Sequence, residues 1–361
     1  MTFYLLLWTS FYLLGVFYLF LKKKPPFMLI VLMLVIVAFC VACRVNVGAD
    51  WAGYVEFYNT NQPEDGRELI EFEPLFRASR NVLYALGFSY QFFFFVFSFF
   101  SMYALVRVSK SFGVDNYFLV LIIYISLTFC SFQLNLFRIG IMCSCMWIAL
   151  SYRKDSLWKT IVWMIIGSGF HYLGLLFLPL VFVVHVNIKT LWYVIIITAS
   201  IIALFTNLGI KIVDSIPFLA TLGRASDYLD PDSSFRKGNG VTVGLLFNIA
   251  FCIFLRYKYK KQYEADVNMR ILLNMMLGAI IFSCWINGLG IIAQRGGQSM
   301  NVALCYSWSL FLTGLKKERR LIWLMLFTSY LVLFYIKNIG TKSETERMLI
   351  PYKIEVASLI R

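Results

Sequence analysis

The chain has 361 residues, 60% of them apolar, 18% aromatic and 14% charged, with a formal net charge of +14. That composition excludes a water-soluble globule and describes a chain built for lipid. Spread evenly, the charge would point to nucleic acid, but it is sorted. The short linkers around Lys22–Lys24, Arg107–Lys110, Arg153–Lys159, Lys189, Arg256–Arg270 and Lys316–Arg320, with their acidic neighbours, hold a net +13 and the rest of the chain +1. This is the positive-inside bias: it makes the basic linkers cytoplasmic and removes the case for a nucleic-acid partner.

A stretch of about 20 apolar residues spans a ~30 Å hydrocarbon core. The first, 3–21, has neither a basic n-region nor a small-residue cleavage site, so it reads as a retained helix and not a signal peptide. Spans follow at 27–43, 90–106, 117–133 and 139–152. The apolar run TIVWMIIGSGFHYLGLLFLPLVFVVH, Thr160 to His185, lies between Lys159 and Lys189, two cytoplasmic linkers. A single crossing would leave its ends on opposite sides, so the run reads as a short hairpin. It rises to Gly169, returns from Tyr172, and holds His171 at its apex, with Gly167, Gly169 and Gly174 at the turn. Such broken backbone survives at membrane depth only inside protein or beside a wet cavity. Further spans are 190–206, 241–255, 271–286, 299–315 and 321–336.

The fold class is therefore all-α: a polytopic transmembrane helix bundle of about twelve membrane segments, forming one integral-membrane domain over residues 1–361 with both termini outside. Three outward segments are too long for turns: 44–90, 207–240 and 337–361. In the first, IEFEPLFRASRNVLYALG from Ile70 carries apolar residues at helical spacing and predicts an amphipathic helix on the outer interface. In the second, LDPDSSFRKGNG is a turn-rich loop tip. All eight cysteines fall in apolar runs and read as small packing residues, including the CxxC pair Cys40 and Cys43, so neither a disulfide nor a thiolate metal site is expected. Phe92 to Phe95 read as lipid-facing or packed bulk.

Ionisable residues at membrane depth are costly and are candidates for function. After the second span comes Arg44-Val-Asn-Val-Gly48-Ala-Asp50-Trp51-Ala-Gly-Tyr54, where a turn-permitting glycine sits beside a carboxylate and aromatic platforms. Arg44 either stops a helix or serves a sugar or phosphate site. Arg138, in LNLFRIGIM, has no carboxylate nearby in sequence; it either snorkels or grips an anion. A guanidinium stays charged and binds phosphate oxygens through a bidentate fork. Arg224, in GRASDYLD with Asp227 and Tyr228, and Arg295, in IIAQRGGQSMN, lie in outer loops, where Gly296 and Gly297 would admit a ligand close to the backbone. His171 is one of two histidines and reads either as a core residue or as a general base. Glu73 and then Asp50 are the next candidate bases. The chain lacks GxxxxGKS, HExxH and GxSxG, which weighs against nucleotide-driven transport and metalloproteolysis, and its sparse histidines disfavour a metal site.

RVNVGADWAGY after an early span, EFEPLF behind it, the arginine of NLFRIGIM, GFHYLG in the hairpin, GRASDYLD in an outer loop and the late Arg295 together resemble the EpsG/Wzy-type family of bacterial polysaccharide polymerases. The resemblance implies an integral-membrane glycosyltransferase of the bacterial inner membrane, acting without metal or cofactor at the periplasmic face. Its substrate would be undecaprenyl-diphosphate-linked oligosaccharide repeat units, joined into O-antigen or other surface polysaccharide. It also implies the lipid bilayer, a chain-length regulator and a flippase as partners. Arg138, Arg224 and Arg295 would then meet the diphosphate with Arg44 in support, His171 would act as base, and Asp50, Glu73 and Tyr228 would orient sugar. Rival readings are a lipid-linked oligosaccharide flippase, which would want paired broken helices where one is found, a membrane O-acyltransferase, and a non-catalytic assembly subunit.

Overall fold

The computed structural model describes residues 1–60, 72–209, 211, 240–340 and 349–355, and these are helical throughout save for linkers and one isolated β-bridge. Helices α1 (Thr2–Leu21), α2 (Phe27–Ala42), α3 (Trp51–Asn59), α4 (Pro74–Ala85), α5 (Tyr90–Ser111), α6 (Tyr117–Tyr124), α7 (Cys130–Phe132), α8 (Phe137–Tyr152), α9 (Leu157–Phe170), α10 (Leu173–Phe177) and α11 (Leu180–Val183) come first. Then follow α12 (Thr190–Thr206), α13 (Val243–Lys258), α14 (Lys260–Ala265), α15 (Val267–Trp285), α16 (Gly290–Asn301), α17 (Ala303–Thr313) and α18 (Lys317–Gly340). Among the described residues, α1, α5, α15 and α18 are long and apolar enough to cross a membrane; α2, α8, α9, α12 and the run Tyr117–Phe132 are shorter apolar helices. Packing sorts the chain into two compact units, Met1–Val181 with Cys305–Arg361, and Phe182–Leu304.

In the first unit α8 is the central pillar. Every residue from Phe137 to Ser151 except Arg138 is buried, as a helix apolar on all sides requires. It packs between α5 and α9, and α2 packs on α5. On the outside, α1 and α18 bury one stripe, through Tyr4, Leu7 and Phe11 and through Leu324, Phe327 and Leu331, and expose the other, through Leu6, Leu13 and Phe17 and through Ile322, Met325 and Leu333. Apolar surface on that scale calls for a lipid solvent.

Between α6 and α7 the helix opens into a π turn, Ile125–Phe129. Such a turn leaves main-chain carbonyls short of donors. Asn338 of α18 donates its side-chain amide to the Ser126 carbonyl at 3.2 Å, and Trp8 of α1 donates to the Ser126 hydroxyl at 2.8 Å. The turn therefore ties both outer helices to the core.

The hairpin expected at 160–185 is present. α9 rises to an extended His171, α10 and α11 return, and the Arg153 side chain at the end of α8 donates to the Val181 carbonyl at 2.7 Å. The expected amphipathic segment is α4, which buries one face and leaves Leu75 and Val82 exposed on the other. It packs on α9, where Gly169 leaves room for Leu75, and it buries Phe76 and Arg80.

The chain after α18 folds back. Ile354 pairs with Arg44, the Glu355 N–H donates to the Cys43 carbonyl at 2.9 Å, and the Tyr352 hydroxyl donates to the Cys40 carbonyl at 2.9 Å. Part of the expected outer tail is thus a docked segment that closes the end of α2.

The second unit is organised by buried hydroxyls and amides. Tyr193 of α12 donates to the Leu273 carbonyl of α15 at 2.8 Å, and Asn274 reaches the Val184 and Val186 carbonyls at 2.8 and 2.9 Å while accepting from Tyr263 at 2.7 Å.

Gly48 is the tightest backbone position of the first unit. Its φ is +98°, and a Cβ there would collide with the Leu134 carbonyl oxygen. Gly53, inside α3, has nothing within 4 Å. Gly48→Ala should lose on the order of 1–3 kcal/mol through strain alone, whereas Gly53→Ala should be neutral or stabilising by roughly 0.5–1 kcal/mol. Thermal unfolding of the two variants in the same detergent checks this, and equal midpoints would contradict the packing described.

Candidate active site

Arg138 is the second residue of α8, raised into position by the loop that ends α7. Its guanidinium meets the Glu73 carboxylate at 2.5 Å, with the acidic side chain 4% exposed and the basic one 21%. Glu73 stands at the N-cap of α4 with Pro74 at the first helical position, where the positive end of the helix favours a carboxylate. Its second oxygen accepts the Tyr172 N–H at 3.3 Å. One carboxylate therefore joins the outer segment, α8 and the apex of the hairpin.

Aromatic rings wall this junction. The Arg138 guanidinium lies 4.8 Å from the centre of Phe72 and 5.9 Å from Phe76, contacts worth about 0.5–2 kcal/mol each when desolvated. The Tyr54 phenol of α3 is electrostatically coupled to the same guanidinium. Burial raises the Tyr54 pKa against the pull of Arg138, so the phenol stays protonated. Tyr54, Phe57, Phe76, Phe93, Phe94, Phe137 and Phe170 form one buried cluster around these groups. Phe93 and Phe94, half of the phenylalanine run, are packed here and do not face lipid.

His171 sits at the turn next to Tyr172, partly buried, and its Nδ1 accepts the Leu173 N–H at 3.1 Å. The neutral ring then carries its proton on Nε2, presenting a donor there. Action as a base requires the Leu173 contact to open.

The remaining candidates are placed differently. Asp50 is exposed at the start of α3 and adds negative charge near Tyr54. Arg44 has no accessible surface. It donates to the Val41 and Val47 carbonyls at 2.7 and 3.2 Å and lies 4.6 Å from the Phe94 ring centre. Burial pushes its pKa down to about 10, which leaves it charged at neutral pH. Arg295 is not in a loop: it lies inside α16, in the second unit. Gly296 and Gly297 serve helix packing there, since Cβ atoms would strike the Phe282 ring and come within 2.5 Å of the Ser283 hydroxyl. Arg224 and Tyr228 lie outside the described residues.

Tyr54 reads from the sequence only as an aromatic platform, and its coupling to Arg138 appears only in the fold. Asn135 escapes that reading altogether. Its side-chain oxygen accepts the Ala49 N–H at 2.8 Å and fixes the Gly48 loop against the entry to α8 across 86 residues of chain.

The family model that matches this chain is that of the EpsG family, over residues 27–354. The chain belongs to the EpsG family. It is accordingly a membrane protein of the polysaccharide-polymerase type. Among curated proteins and solved structures, no match is found.

Removing one partner from a buried ion pair strands the other. Glu73→Ala and Arg138→Ala should each destabilise by about 3 kcal/mol, and the double variant by less than their sum by about 1–3 kcal/mol. A double-mutant cycle on thermal unfolding measures the difference, and strict additivity would show that the pair is not a working contact.

Proposed function

We propose that this EpsG-family protein joins lipid-diphosphate-linked oligosaccharide units into surface polysaccharide at the outer face of the bacterial inner membrane. The observation that carries the proposal is the Glu73 carboxylate, held between the Arg138 guanidinium and the Tyr172 N–H beside His171. In this reading a hydroxyl of one lipid-linked unit attacks the anomeric carbon of the growing chain. The new glycosidic C–O bond forms as the bond to undecaprenyl diphosphate breaks, and the electron pair leaves with the diphosphate.

The leaving group gathers negative charge, so a fixed cation aimed at it lowers the barrier. Arg138 supplies that cation, and its one-fifth exposure leaves an approach for a ligand. Glu73 holds the guanidinium and the hairpin apex in register, and Asp50 and Tyr54 line the sugar side. Arg44, without accessible surface, acts through the loop it anchors. For Arg224, Tyr228 and Arg295 the diphosphate and sugar roles rest on the family resemblance of their sequence alone.

His171 has two distinguishable roles. As base it takes the hydroxyl proton once Leu173 releases Nδ1. As donor it gives its Nε2 hydrogen bond to a diphosphate oxygen, the role favoured by the Nδ1 contact, and the hydroxyl proton passes to the departing diphosphate. The donor role predicts that His171→Gln, which keeps an N–H, outperforms His171→Ala; equal loss in both variants favours the base.

In a strain deleted for this gene, wild type should restore the length ladder of surface polysaccharide on a gel. Arg138→Ala and Arg138→Lys, at normal protein level, should lower polymer on the order of 10²-fold, since lysine lacks the planar fork. An unchanged ladder with Arg138→Ala would remove the residue from the reaction. Loss of even single repeat units after deletion would favour a flippase.

A further inference from the structure

At the start of α6, beside Asp115 and Asn116, the structure contains a cavity of about 520 Å³ that the proposed reaction does not use. Its lining includes Lys22, Lys23, Lys24, Lys316 and Arg320, with Asp115 as the one carboxylate. Five cations against one anion leave a net +4 facing a single concavity. A topological bias toward basic linkers calls for charge near the membrane, but it does not call for charge gathered around a hollow of ligand-binding size.

The internal bonding shows which charges are available. Arg320, 4% exposed, is committed: it donates to the carbonyls of Leu19, Leu312, Thr313 and Leu315 at 2.7–3.1 Å, binding the last turns of α1 and α17 to the start of α18. Lys24 is paired with Asp115 at 2.7 Å. Lys22, Lys23 and Lys316 are exposed along the same rim. Arg320 thus satisfies the carbonyls that would otherwise repel an anion, while the lysines keep the cavity positive. The helices that frame it continue into exposed apolar faces, through Phe17 and Leu21 on α1 and Leu321, Ile322 and Met325 on α18. A charged cavity that opens onto lipid-facing helix surfaces fits an amphiphile whose head is anionic and whose chains lie along those helices.

We infer that this cavity is a binding site for the phosphodiester headgroup of an anionic phospholipid, separate from the Arg138 junction and independent of the function proposed for it. Basic pockets between membrane helices capture such headgroups, at about 1 kcal/mol per lysine near the surface.

The test is native mass spectrometry of the full-length protein in zwitterionic detergent, titrated with phosphatidylglycerol, phosphatidylcholine or inorganic phosphate. Wild type should retain one phosphatidylglycerol per chain in preference to phosphatidylcholine, with phosphate competing weakly. Lys316→Gln should weaken retention about fivefold and the triple variant Lys22→Gln/Lys23→Gln/Lys24→Gln on the order of 100-fold. Asp115→Asn, which frees Lys24, should strengthen it. A matched triple variant in a basic linker elsewhere, Lys258→Gln/Lys260→Gln/Lys261→Gln, should leave it unchanged. Equal retention of phosphatidylcholine, equal weakening by the matched triple variant, or weakening by Asp115→Asn would overturn the site. Displacement of the lipid by millimolar phosphate would identify a free-anion site instead.

Discussion

A carboxylate with almost no access to water, facing a guanidinium at 2.5 Å, is the constraint from which the first unit is organised. Glu73 belongs to the outer segment, Arg138 to the pillar α8, and Tyr172 to the hairpin that returns beside it. Glu73 could not lie at this depth without Arg138, because a buried charge without a partner costs several kcal/mol. The pair therefore holds α4 in its docked place, and α4 in turn supports the aromatic wall and the hairpin apex beside His171.

Arginines elsewhere show what distinguishes Arg138. Arg44, Arg80, Arg256 and Arg320 donate to main-chain carbonyls at helix ends and in linkers, and each is at least 96% buried. They close the structure by supplying donors that frayed helix ends lack. Arg138 instead faces an acid and aromatic rings and keeps part of its surface open. Within an envelope of apolar helices, that difference separates a cation that holds the fold from one able to receive a ligand.

Much of the architecture is legible in the chain itself. The hairpin follows from two basic linkers flanking a 26-residue apolar run, and its turn falls at His171. The helical reading of the segment after Ile70 is right in type, yet its environment is not readable: apolar periodicity specifies a face, not whether lipid or an aromatic cluster will cover it. Arg320 reads as one more linker charge, and only folding shows its guanidinium among four carbonyls. Arg295 reads as a loop residue because paired glycines ordinarily break helices, whereas here they let α16 press against α15.

What the sequence determined by itself is the solvent and the class. Apolar runs long enough for a bilayer, separated by sorted basic charge, allow only a bundle of membrane helices, because lipid leaves every backbone polar group to be satisfied internally. What only the tertiary structure decided is the pairing. Arg138 and Glu73 are 65 residues apart, and nothing local marks one as the partner of the other. Their meeting depends on where α4 lands on α9, a choice made by side-chain packing summed over the whole unit.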